Sequence, residues 1–131
     1  MRVSFLKTGI FPRFIVLMVW VLVIIWLSLT PKPPNPHMVL FGYDKFFHAM
    51  AYGTLTLLAG WAFSGVVMLS SRSWFMIAAS AVLISGLVEV AQALLTTTRS
   101  AEVADLVANG IGATAALLLV RIAKISRVSG R

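Results

Sequence analysis

The sequence predicts an all-α membrane protein, a bundle of four transmembrane helices with both termini in the cytoplasm. Three observations carry that prediction. Of 131 residues, 60% are hydrophobic and 11% charged, with a mean hydropathy of +0.95; a soluble core of this length has too few interior positions for so many apolar side chains. The apolar residues fall into four runs separated by short polar links. Lys and Arg are divided unequally between alternate links, which sets orientation.

The first run, Phe14 to Thr30, follows Arg13 and stops at the breaker T-P-K-P-P-N-P. It is long enough for the hydrocarbon core at about 1.5 Å per residue. A cleaved leader is the rival, given the basic Arg2, Lys7 and Arg13, but no small-x-small cleavage pattern closes the run, so it reads as a retained anchor. The second span, Phe46 to Leu69, is entered through Gly42-Tyr43-Asp44-Lys45. The third, Trp74 to Leu95, follows a turn of a few residues, which makes the two antiparallel neighbours. The fourth, Val103 to Val120, carries Gly110, Gly112, Ala113, Ala115 and Ala116, a small-residue set that admits a close helix contact and offers a route to a homo-oligomer. The whole reads as one membrane domain over residues 1–131 with a motif-bearing core at 42–120.

Eight of the 11 basic residues fall in the N-terminal segment, the second-to-third turn and the tail, and three (Lys32, Lys45, Arg99) on the other side. The positive-inside rule then puts both termini in the cytoplasm, as an even number of spans requires. The net charge of +7 is explained by this topology; the cations form no stripe with interleaved aromatics, so nucleic acid is not an expected partner. Absence of cysteine excludes disulfides, thiolate nucleophiles and Cys-ligated metal.

With that threading, Asp44, Lys45, His48, Glu89, Gln92, Asp105 and Asn109 all fall at one face of the membrane. Asp44, His48 and Tyr52 are spaced four apart, Ser85 and Glu89 four apart with Gln92 three further on, and Asp105 and Asn109 four apart. Each set lines one helix face. Lipid satisfies none of these groups, so the faces should turn towards one another. Their simplest role is to hold the helices together, for example Asp105 with Arg99 and Glu89 with His48 or Lys45; such contacts average about 0.6 kcal/mol in membranes. Collection at one face favours a site instead. In it His48, Glu89 and Asp105 handle protons or orient a ligand, Lys45 and Arg99 hold a phosphate or carboxylate, and Asp44, Tyr52, Gln92 and Asn109 complete the lining. The geometry suits an amphiphile, so membrane lipids or a lipid-linked envelope ligand are the expected partners. A metal centre of His48, Asp44, Glu89 and Asp105 is conceivable, but H-E-x-x-H is absent and the region has one histidine, so no metal and no cofactor are expected. No G-x-S-x-G elbow or phosphate loop is present.

The run D-K-F-F-H-A-M-A-Y (Asp44 to Tyr52), then E-V-A-Q (Glu89 to Gln92), then R-S-A-E-V-A-D-L-V-A-N-G-I-G (Arg99 to Gly112) resembles the VanZ-like family of small bacterial membrane proteins in content and order. The resemblance covers about two thirds of the chain, without the first span and the basic tail. It implies a multi-pass protein of the bacterial inner membrane; the family's namesake is associated with low-level resistance to teicoplanin, a lipoglycopeptide that acts outside that membrane. One departure is local: Thr96-Thr97-Thr98 precede Arg99, where the family often has Gly or Pro.

Overall fold

The computed structural model describes residues 9–30, 43–97 and 101–129, with side chains of the last helix described through Ser126. Among them the chain is all-helical: α1 (Ile10–Leu29), α2 (Tyr43–Ser64), α3 (Ser71–Leu95) and α4 (Val103–Ser129). Three helices, Ile10–Leu29, Ser71–Leu95 and the Val103–Ser126 part of α4, are long and apolar enough to cross a membrane, which makes this a membrane protein. The helix α2 is the more polar one, because Asp44, Lys45 and His48 occupy its first two turns.

Several ends differ from the hydropathy reading. The second helix stops at Ser64 rather than Leu69: its last turn runs into the turn at Gly65 and Val66, and Met68 is fully exposed in the link. The third starts at Ser71 because Ser70 caps it, its hydroxyl accepting from the Ser73 amide at 3.0 Å. The fourth continues past Val120 through Arg121 and Lys124, where charge ends the apolar run without ending a helix.

Contacts between ends give the arrangement. Arg13 at the start of α1 donates to the Trp61 carbonyl near the end of α2 (3.2 Å) and stacks on the Trp61 ring. Trp20 Nε1 donates to the Ala51 carbonyl at 3.0 Å. Lys124 late in α4 reaches the Leu69 carbonyl in the α2–α3 link. Consequently α1 and α3 run one way and α2 and α4 the other, and the described chain starts and finishes at the same end of the bundle. Both α2 and α3 touch all three other helices, whereas α1 and α4 lie on opposite sides without touching.

The widest contact is α2 on α4, and glycine makes it close. A Cβ at Gly112 would overlap the backbone of Ala49, and one at Gly53 would lie 3.0 Å from the Gly112 carbonyl. The small-residue face of α4 is therefore taken up inside the bundle, with Ala108, Ala113 and Ala116 buried.

The interior reverses the soluble pattern. Apart from a small apolar cluster around Ile24, Tyr52 and Leu55, buried side chains are small or polar, including Ser28, Thr56, Ser85, Glu89, Gln92, Asp105 and Asn109, while Phe11, Leu22, Phe75, Leu94 and Ile111 face outwards. In water such an exterior would aggregate. In lipid it is the matching surface, and the polar groups must pair internally.

Candidate functional site

One end of the bundle gathers the N-terminal turns of α2 and α4 and the C-terminal turns of α1 and α3. All four acids of the chain lie there: Asp44, Glu89, Glu102 and Asp105. Asp44 and Asp105 each sit in the first turn of their helix, where the unpaired backbone N–H groups favour negative charge. Glu89 serves the same end of α4 from α3, its Oε2 accepting from the Glu102 amide at 3.2 Å. That bond gives a buried carboxylate a partner that lipid could not supply.

Lys45 is the cationic hub. Its ammonium donates to Glu102 Oε2 at 2.8 Å and to Asp105 Oδ1, and lies 3.7 Å from Asp44 Oδ2. Of the pairings expected from sequence, Glu89 with Lys45 does not form: Lys45 meets Asp105 and Glu102, and Glu89 accepts from a backbone amide. Arg99, the other expected anion contact, lies outside the described residues.

His48 stands one turn deeper. Asn109, 1% exposed, donates through Nδ2 to Ser85 Oγ at 2.7 Å and so turns Oδ1 towards His48 Nδ1, 3.2 Å away. Nε2, on the other side of the ring, faces Asp105 Oδ2 (3.4 Å) and Asp44 Oδ1 (4.0 Å). Three helices are tied by this one chain of contacts, from Ser85 on α3 through Asn109 on α4 to His48 on α2. Tyr52, one turn further in and 2% exposed, lies beside Ser85 and Glu89.

Of the residues expected from sequence, Asp44, Lys45, His48, Asp105 and Asn109 thus meet directly, with Glu89 and Tyr52 at their edge. Gln92 does something else. It donates to the Ser28 carbonyl at 2.9 Å and fastens α1 to α3. Glu102 belongs to the site although it was not among those residues; its spacing of three from Asp105 at a helix start was the available signal. The Ser28 carbonyl had no such signal, because any residue offers one.

A half-open groove of about 380 Å³ separates α1 from α2. Trp20, Ile24 and Leu27 form one wall, Phe47 and Ala51 the other, and Asp44 and His48 stand at its polar end. The volume lies in the range of small-ligand sites. The arrangement can hold a molecule with an apolar body along the groove and a polar head at the carboxylate–histidine cluster.

No family of known proteins, no curated protein and no solved structure matches this chain.

Proposed function

We propose that the chain is a VanZ-like multi-pass protein of the bacterial inner membrane that binds or modifies a lipid-linked or amphiphilic envelope ligand at its outer face. All four helices cross the bilayer in this reading, and both termini are cytoplasmic. Support for the orientation is the segregation of charge: Arg13, Arg72, Arg121 and Lys124 lie at the end opposite the acids, as the positive-inside rule requires of the cytoplasmic side. The single observation that carries the ligand class is the apolar groove between α1 and α2 that terminates at Asp44 and His48. Lipid tails have direct access to such a groove, and a headgroup entering with them arrives at the polar cluster.

Lipid analysis of the protein purified in mild detergent tests this. A lipid or lipid-linked species enriched over bulk membrane, and lost when Ala51→Trp fills the groove, is the expected result. An unselective lipid complement, identical in that variant, would overturn it. In cells, His48→Ala and Glu89→Ala should alter sensitivity to antibiotics that act on the outer envelope, glycopeptides included, while the protein still accumulates in the membrane.

A second reading, a scaffold whose polar residues only fasten its helices, is favoured by the Gln92–Ser28 and Asn109–Ser85 bonds, which join helices. Thermal unfolding in detergent separates the two. Substitutions at Glu89 and Asp105 that unfold the bundle favour the scaffold; substitutions that spare stability and abolish ligand retention favour the site.

A further inference from the structure

We propose that His48 Nε2, a carboxylate oxygen of Asp44 and Oδ2 of Asp105 form a divalent-cation site whose open position faces the α1–α2 groove, where it takes a phosphate oxygen of the ligand's headgroup. The three ligand atoms all lie within 4.8 Å of one another. The expectation of no metal rested on the missing H-E-x-x-H pairing, but that motif is only one way to converge ligands; here two helices supply them.

The orientation of His48 is the stronger argument. With Asn109 Nδ2 given to Ser85, Asn109 Oδ1 is the atom that meets His48 Nδ1, and it is placed to accept the hydrogen of the Nδ1–H tautomer. In that tautomer Nε2 keeps a lone pair for an ion, and it points to the side on which Asp44 and Asp105 lie. Metal-ligating histidines characteristically donate their other ring N–H to an oxygen that is itself held in place, and the Asn109–Ser85 pair supplies that support from two helices. Lys45 binds the other oxygen of Asp105, Oδ1, which leaves Oδ2 turned to His48.

One imidazole and two carboxylates suit a borderline ion in the Mn²⁺ to Zn²⁺ range. Bonds to nitrogen and oxygen of about 2.0–2.2 Å require ligand atoms roughly 3.4 Å apart in a tetrahedral site. His48 and Asp105 already have that separation, and a small rotation of Asp44, a side chain one third exposed at the helix start, closes the third side. Three protein ligands leave a position open, the pattern of zinc sites that bind an exogenous oxygen. Asp44 and His48 also line the groove, so that position is reached from it. An ion there supplies the positive charge for a phosphate that Lys45, already held by carboxylates, does not. The phosphate contact rests on the amphiphile reading above; the ion itself does not.

The test uses full-length protein in detergent, stripped with a chelator and titrated by calorimetry with Zn²⁺ and, separately, Mn²⁺. Wild type should take up one ion per chain. His48→Ala and Asp44→Asn should abolish that uptake, and Asn109→Ala, which touches no ion, should weaken it about 10- to 100-fold. No stoichiometric uptake by wild type overturns the site whatever the variants do, and uptake unchanged in His48→Ala places the ion elsewhere and overturns it equally. A second arm measures retention of phosphatidylglycerol against phosphatidylcholine in nanodiscs, with the ion and with the chelator. Selective, ion-dependent retention is expected. Selective retention that persists in metal-free protein removes the ion from headgroup binding while the amphiphile reading stands; ion uptake with no selective retention in either state leaves the ion site and removes the amphiphile reading.

Discussion

Asn109 shows how a single side chain can fix several others. Both ends of its amide are engaged in a site 1% exposed, with His48 on one helix and Ser85 on another. Asn109→Ala removes a partner from the partly buried His48 ring and from the buried Ser85 hydroxyl; a buried group left wholly unsatisfied costs about 1–3 kcal/mol, and less is expected for the ring, which is 15% exposed. We expect a lower unfolding temperature in detergent for Asn109→Ala; equal melting of wild type and Asn109→Ala would refute the tie. Lys45→Met is a different case, because it leaves the buried carboxylate of Asp105 without its ammonium. Breaking one side of such a pair destabilises by about 3–5 kcal/mol when fully buried, less here because Lys45 is one third exposed. Replacing Asp105 with Leu as well should recover part of that loss, and strictly additive melting shifts would show that the two residues do not interact. Residue faces of this kind were legible in the sequence because the i, i+4 spacing alone places Asp44, His48 and Tyr52, or Asp105 and Asn109, on one side of a helix. Partners were not. Which acid meets Lys45 depends on how α2 and α4 are rotated and shifted, and that is set by packing.

At the scale of the helix, glycine controls the approach of α2 to α4. Gly112→Ala places a methyl group into the Ala49 backbone, which has no rotamer by which to yield, so the helices must separate and the Lys45–Asp105 and His48–Asn109 contacts must stretch with them. Gly60→Ala meets the far end of the Trp74 ring, an obstacle that can swing aside. Gly110, with nothing within 4 Å of an added Cβ, gains only helix propensity from alanine, about 0.8–1.0 kcal/mol in water. The expected order of melting temperatures is therefore Gly110→Ala at or above wild type, then Gly60→Ala, then Gly112→Ala; a Gly112→Ala protein as stable as wild type would contradict the close crossing. The four helices and their approximate places were visible as apolar runs. Their ends were not, for two physical reasons. Hydropathy follows the run of apolar residues through Val66, Val67 and Met68 although the backbone has already turned, and it stops at Arg121 although a cation is a good helix former and the helix continues.

For the whole molecule, the separation of charge is the organising fact: carboxylates at one end, the cations Arg13, Arg72, Arg121 and Lys124 at the other. It was readable from sequence because alternate links of a helical bundle return to the same end, so a count of Lys and Arg by link is also a count by end. The groove was not readable, since Trp20 and Phe47 come to line one space through the docking of α1 by Arg13, Trp20 and Gln92. The orientation proposed for the bundle has a direct test, helped by the absence of any native cysteine. Thr97→Cys lies just past the end of α3 at the acidic end, and Ser71→Cys begins α3 at the basic end; both positions are exposed. A membrane-impermeant maleimide added to intact cells should label Thr97→Cys and should reach Ser71→Cys only after permeabilisation. The reverse pattern would turn the groove and its polar end towards the cytoplasm, where an outer-envelope ligand does not reach them. Labelling of both from outside would mean that α3 does not cross the bilayer, and the acidic end would then belong to no single face.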